Sequence, residues 1–167
     1  MIKGYWNSRV KFIQSRDNKI YFFFFGHFFI ILNCFCNLEK KLSNYKDQKL
    51  VIFFYPKANT PGCTLEACDL RDNYKKLQDA GYSLLGVSAD SENSQRNFSN
   101  KFDFPFPLLA DVNKEVINAF GVWGPKKFMG KEYEGIHRIT FIIDGNGIVE
   151  RIIDKVKTKE HASQILE

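Results

Sequence analysis

Residues 50–72 read LVIFFYPKANTPGCTLEACDLRD. Leu50 to Tyr55 is a continuous apolar run stopped by Pro56, the pattern of a strand buried on both faces. Pro61 and Gly62 mark a turn. From Leu65 to Ala80 the residues Leu65, Cys68, Tyr74 and Leu77 fall at helix-compatible spacing among charges, and Gly81 stands where a helix C-terminus favours glycine. The stretch predicts a buried strand, a proline-rich loop and a helix, with Cys63 in the helix's first turn.

Outward from this unit, Tyr82 to Ser88 (YSLLGVS) reads as a second buried strand, and Asp90 precedes a polar, helix-compatible stretch ending near Phe102. Together these elements make a βαβ unit with a parallel pair of strands. Pro105 and Pro107 require any strand within Phe104 to Leu109 to be short or at a sheet edge. Asn113 to Phe120 predicts a short helix ended by Gly121. Ile136 to Ile143 and Ile148 to Ile153 flank Asp144-Gly145-Asn146-Gly147, a hairpin turn signal. Thr158 to Leu166 predicts a terminal helix with Thr158 at its N-cap. Parallel strands with crossover helices, then an antiparallel hairpin and a last helix, is the order of a thioredoxin-like α/β fold: a central mixed β-sheet flanked by helices. Such an order does not by itself fix function.

The chain has 167 residues, enough for one domain with a substantial core. Its formal charge of +5 is unevenly placed: residues 1–49 hold nine Lys or Arg against three Asp or Glu, and the remainder holds 15 against 16. The basic excess belongs to the amino-terminal third, so the rest has no electrostatic footprint for a nucleic acid. Four cysteines, Cys34, Cys36, Cys63 and Cys68, are too few for a disulfide scaffold of this length.

Residues 1–41 stand apart as an atypical hydrophobic segment. Ile20 to Cys36 is almost wholly apolar, with Phe22, Phe23, Phe24, Phe25, Phe28 and Phe29, and it follows Lys11, Arg16 and Lys19. A basic flank before an apolar run suggests a targeting signal or membrane anchor. Against this, the run is shorter than the roughly 20 residues a spanning helix needs. His27 and Asn33 interrupt it, and no small-residue cleavage site follows. A buried β-rich segment is a second reading, and a stretch foreign to the domain is a third.

The chemistry concentrates around Cys63. A residue in the first helical turn meets unpaired backbone N–H groups and the positive end of the helix dipole, which favour an anion. A thiolate is such an anion, and this setting lowers a cysteine pKa from its ordinary value of about 8.5. Cys63 is therefore expected to be a nucleophile. Thr60 offers a hydroxyl three residues earlier, and Pro56 and Pro61 restrict the loop between strand and helix. Two residues five apart on a helix differ by about 140° in direction and about 7.5 Å in rise. Their Cα atoms lie roughly 8 to 9 Å apart, beyond the usual disulfide range of about 4.4 to 6.8 Å, so a Cys63–Cys68 bond requires the helix to unwind locally. The alternative is that both cysteines are ordinary buried residues. A metal site fits poorly, because the C-x₄-C spacing is not that of a zinc ligand pair, and a C-x-x-C redox motif is absent. His27, His137 and His161 are scattered and read as surface or packing residues.

Pro56, Thr60 and Cys63 match the Pro-x-x-x-Thr-x-x-Cys signature of the peroxiredoxin family, and the chain from about Leu42 to Leu166 resembles its peroxiredoxin Q branch, also called bacterioferritin comigratory protein. The resemblance implies a thioredoxin-like peroxiredoxin domain over residues 42–167. It further implies a hydroperoxide substrate, thioredoxin as reductant, no metal or organic cofactor and cytoplasmic residence, with a monomer or weak homodimer as the expected state. It assigns Cys63 as the peroxidatic cysteine and Cys68, five residues on, as the resolving one. It also assigns Arg138, in GIHRITFIID, as the strand arginine that stabilises the thiolate and, with Thr60, holds the peroxide oxygens. The departure is at the amino terminus: nothing in residues 1–41 reproduces the family's Gly-x-x-Ala-Pro-x-Phe-x-Leu hairpin. A frameshift, a mispredicted start or a fused segment would explain that. A binding module inactivated by loss of this hairpin is the competing functional reading.

Overall fold

In the computed structural model β5 (Lys49–Phe54) lies at the centre of the core. The description covers Tyr45 and residues 48–167, Met129 and the Phe128 side chain excepted, together with the backbone of four short strands: β1 (Val10–Gln14), β2 (Ile20–Phe24), β3 (Leu32–Asn33) and β4 (Glu39–Lys40). The period-two alternation of β5 sorts its side chains between two cores. Val51 and Phe53 pack on one face with Ala67, Leu70, Phe98 and Ile165, while Leu50, Ile52 and Phe54 pack on the other with Val116, Ile117 and Phe120. Burial on both faces is why the sequence there is a continuous apolar run.

The other strands are β6 (Tyr82–Ser88), β7 (Leu108–Ala110), β8 (Trp123–Phe128), β9 (Lys131–Ile136), β10 (Ile139–Ile143) and β11 (Val149–Ile153). A seven-stranded sheet runs β1-β2-β11-β10-β5-β6-β7, with β3-β4 and β8-β9 as separate two-stranded ribbons. β5, β6 and β7 are parallel, whereas β10 is antiparallel to both β5 and β11, so the sheet is mixed. The helices are α1 (Pro61–Asp72), α2 (Tyr74–Asp79), α3 (Glu92–Phe102), α4 (Glu115–Ala119) and α5 (His161–Leu166). Gly86 on β6 permits a close approach: a Cβ there would lie 2.6 Å from Leu108 Cδ2 and 2.7 Å from Phe53 Cζ.

Several boundaries differ from those expected. The helix expected over 65–80 begins at Pro61, whose fixed φ suits the first helical position, and breaks at Asn73, whose side-chain amide donates to the Asp69 carbonyl at 2.9 Å. Thr158 is not an N-cap. It lies in a turn closed by the Glu160 N–H to the Lys157 carbonyl at 3.0 Å, and α5 starts only at His161. The strand expected over 136–143 is divided. Ile136 ends β9, and His137 leaves that ribbon by donating its N–H to the Val122 carbonyl at 2.7 Å. The β8-β9 ribbon itself was not expected, since its charges and Pro125 mask any apolar alternation. β7 is short and at the sheet edge, as the two prolines before it require.

Most of residues 1–41, and with them the readings of that segment, lie outside the described residues. Within it, β1 and β2 pair antiparallel, and β2 adjoins the sheet through Ile20 opposite Val149. Among the described residues no helix is long and apolar enough to cross a membrane.

Candidate active site

Cys63 is the third residue of α1 and is buried, 2 % exposed. Thr60 is the N-cap residue, extended at φ −89°, ψ 151°, and Pro61 follows it. The first helical bond runs from the Thr64 N–H to the Thr60 carbonyl at 2.9 Å, which leaves the amides of Gly62 and Cys63 at the open, positive end of the helix. The local sequence makes this end. Proline at N1 gives up no needed donor, and at Gly62 after it an added Cβ would lie 3.5 Å from Arg138 Nη2.

Arg138 supplies the second positive influence. It lies in the two-residue link between β9 and β10 rather than on a strand as expected, because the chain there is passing from one sheet to another. From this link its Nη2 donates to Cys63 Sγ at 3.3 Å, and its Nη1 pairs with Glu66 Oε2. Burial alone would push the guanidinium's pKa down; Glu66 and Cys63 more than offset this and hold it above the ordinary value. A cation so fixed stabilises a thiolate in preference to a thiol.

The loop between β5 and α1 is held from below. Asp90 Oδ2 accepts the Ala58 N–H at 2.8 Å and the Ser88 hydroxyl at 2.7 Å. Ser88 Oγ accepts from Gln95 Nε2 at 2.7 Å, and the Gln95 side-chain oxygen accepts the Tyr55 hydroxyl. Burial pushes the Tyr55 phenol far up, so it remains a donor. Just after these anchors Asn59 takes a left-handed φ of 58°, turning the chain from half-buried Pro56 toward Thr60. The Thr60 hydroxyl donates to the Lys57 carbonyl at 2.9 Å rather than to the sulfur.

Cys63 and Cys68 are both free thiols within one unbroken helix. Burial pushes the Cys68 thiol up, Arg71 opposes that shift and Asp72 adds to it. The structure thus brings Cys63, Arg138 and Thr60 to one end of α1, with Pro56 in the loop that leads to it and Cys68 further along the same helix. Sequence reasoning missed Glu66, which stands three residues after Cys63 and therefore on the same helical face. It also placed His161 at the surface or in packing. The residue is fully buried, and its Nδ1 lies 3.1 Å from Glu66 Oε1. Among the described residues no cluster of three or more His, Cys, Asp or Glu could hold a metal ion.

Residues 35–152 match the AhpC/TSA family. The chain belongs to the AhpC/TSA family of peroxiredoxins. It is similar to peroxiredoxin Bcp of Escherichia coli strain K12, at 46 % identity over 77 % of this chain and 82 % of the relative. It is also similar to peroxiredoxin Bcp of Bacillus subtilis, at 45 % identity over 76 % and 81 %. Among solved structures, the bacterioferritin comigratory protein of Xanthomonas campestris superposes with a TM-score of 0.76 at 38 % identity, covering 81 % of this chain and 85 % of that one. Peroxiredoxin Q of Xylella fastidiosa superposes at 0.75 with 33 % identity, covering 85 % and 89 %. This peroxiredoxin is of the Bcp, or peroxiredoxin Q, branch: a thiol-dependent peroxidase on a thioredoxin-like fold.

Proposed function

We propose that this peroxiredoxin reduces hydrogen peroxide and alkyl hydroperoxides with Cys63 as the attacking thiolate, Cys68 as the resolving cysteine and thioredoxin as the reductant. The observation that carries the reading is the Arg138 guanidinium, 3.3 Å from Cys63 Sγ, beside an open helix N-terminus. Alkyl peroxide reduction is the activity ascribed to the Xanthomonas campestris relative.

In the first step the thiolate attacks the terminal peroxide oxygen in line with the O–O bond, which breaks heterolytically. The alkoxide leaves and takes up a proton, and the attacked oxygen stays on sulfur as sulfenic acid. Arg138 and Thr60 steady the two oxygens, and Pro56 restrains the loop. In the second step Cys68 attacks the sulfenic sulfur, hydroxide leaves as water, and a disulfide forms that the thioredoxin dithiol reduces by exchange. Because both cysteines sit on one helix, the turns between them must unwind for that step. Unwinding also releases Cys68 from the burial that holds it as a thiol.

We place the activity in residues 42–167, in the cytoplasm, in a monomer or weak homodimer, with residues 1–41 as an atypical hydrophobic segment whose β1 and β2 extend one edge of the sheet. The mass of the protein purified from its own cell tests that boundary. For the chemistry, a peroxide-consumption assay with thioredoxin and its reductase is decisive. Cys63→Ser should abolish turnover, and Cys68→Ser should still form sulfenic acid but recycle slowly. Full activity in Cys63→Ser would refute the reading, and a wild-type chain without activity would favour a binding module.

A further inference from the structure

Behind the Cys63–Arg138 contact runs a line of buried polar side chains that the proposed peroxide chemistry does not use. Arg138 pairs through Nη1 with Glu66 Oε2. Glu66 is fully buried, and its other oxygen, Oε1, faces His161 Nδ1 at 3.1 Å. Neither of these two buried atoms makes a hydrogen bond among the described residues, so their 3.1 Å approach is the close polar contact that each has been left with. His161 is itself fully buried, and its Nε2 lies 3.0 Å from Thr140 Oγ1, also fully buried. We propose that His161 is a positioning residue for peroxide reduction: it holds the Glu66 carboxylate in the orientation that aims Arg138 at Cys63.

Three physical points carry this. A buried carboxylate needs both oxygens satisfied, because an unpaired buried acceptor costs about 1–3 kcal/mol and more when charged. Arg138 answers one oxygen, and His161 is the group placed to answer the other. Next, Arg138 lies in a link between two sheets, where no strand ladder fixes its backbone direction, so its side-chain partners must set where the guanidinium points. Lastly, the imidazole is itself held in place. The amide of Ala162, the next residue, donates to Asp69 Oδ2 at 2.7 Å, which ties the start of α5 to α1 one turn beyond Glu66. Thr140 on β10 then fixes the ring from the far side. A hydroxyl serves either as donor to a neutral ring nitrogen or as acceptor from an N–H, so Thr140 suits whichever state His161 adopts. The Phe53 ring packs nearly perpendicular to the imidazole, its centroid 6.3 Å from that of His161.

This inference rests on Cys63 being the attacking thiolate, and its test reads the sulfur directly. The full chain is compared with His161→Leu and His161→Asn, the second of which can keep an N–H toward Glu66. The Cys63 thiol is titrated by its rate of alkylation against pH in a Cys68→Ser background, and the second-order rate with peroxide is measured by stopped flow. His161→Leu should move the Cys63 alkylation profile to higher pH and, measured on the acid side of that profile, slow the peroxide reaction about tenfold. His161→Asn should recover most of both. A wild-type pKa and rate in His161→Leu would overturn the proposal, as would equal losses in the Leu and Asn variants, which would mark a packing role. Should His161→Leu not fold, Thr140→Val decides, since it removes only the hydroxyl that orients the ring. A shift in the same direction supports the proposal and an unchanged titration refutes it. Failure of the underlying reading is distinct, because Cys63→Ser would then still consume peroxide.

Discussion

Replacing Arg138 with methionine separates what the guanidinium does for the sulfur from what it does for the fold. Arg138 joins Cys63 and Glu66, a nucleophile and a fully buried carboxylate. A hydrogen bond from a charged donor contributes about 1.5–3 kcal/mol, so losing the one to the thiolate should move the Cys63 alkylation profile to higher pH. Measured on the acid side of that profile, the peroxide reaction should slow about 10- to 100-fold, and further if Arg138 also binds the peroxide. Independently, the substitution leaves Glu66 without its counter-charge, and breaking a buried pair costs about 3–5 kcal/mol. Arg138→Met should therefore be both slow and unstable. Adding Glu66→Gln removes the stranded charge, and the double variant should regain most of the lost stability while remaining slow. Denaturant midpoints measure the first property, and alkylation against pH with stopped-flow peroxide kinetics measures the second. Recovery of the wild-type peroxide rate in the double variant would refute the reasoning, because Arg138 would then matter only as the partner of Glu66. An unchanged Cys63 titration in the single variant would refute it equally.

Oxidation to the Cys63–Cys68 disulfide should strip hydrogen-exchange protection from Thr64 to Leu70; equal protection in both redox forms would show that α1 does not unwind. Gly86→Ala should cost about 1–3 kcal/mol, because its Cβ would sit 2.6 Å from a Leu108 methyl and 2.7 Å from the Phe53 ring. A lowered denaturant midpoint with unchanged activity per folded molecule is the expected result. Asp111 holds the start of α4, its two carboxylate oxygens accepting the Glu115 and Ile117 amides at 2.9 and 2.8 Å. Burial outweighs those bonds and pushes its pKa up, so its ionisation works against folding. The raised value means that stability relative to Asp111→Asn is greatest below the unfolded pKa and falls as pH rises through the folded one. Thermal melts of the two proteins across acidic pH should diverge in that direction.

Local chemistry was legible in the chain because it depends on neighbours in sequence. The apolar run at 50–55, a proline at N1 and a cysteine two residues later specify a buried strand running into a helix whose open end meets Cys63. The five-residue spacing to Cys68 sets the geometric barrier to their disulfide before any fold is known. The Asp144–Gly147 turn and the proline-bounded edge strand were readable for the same reason.

What tertiary structure alone decided is which distant side chains meet that sulfur. The chemical approach of Arg138 to Cys63 spans 75 residues and depends on β10 pairing with β5 while the β8-β9 ribbon ends just before it. No local pattern encodes such a crossing. His161 shows the point most plainly. Its sequence neighbourhood is polar, yet the docking of α5 against α1 carries it into the core beside Glu66, because its neighbours Ala162 and Ile165 bury themselves in the cluster that Ala67 and Leu70 line. The residues of the first helical turn are determined by the chain itself. The groups that charge and aim them are determined by the packing of three elements that meet only when the sheet is complete.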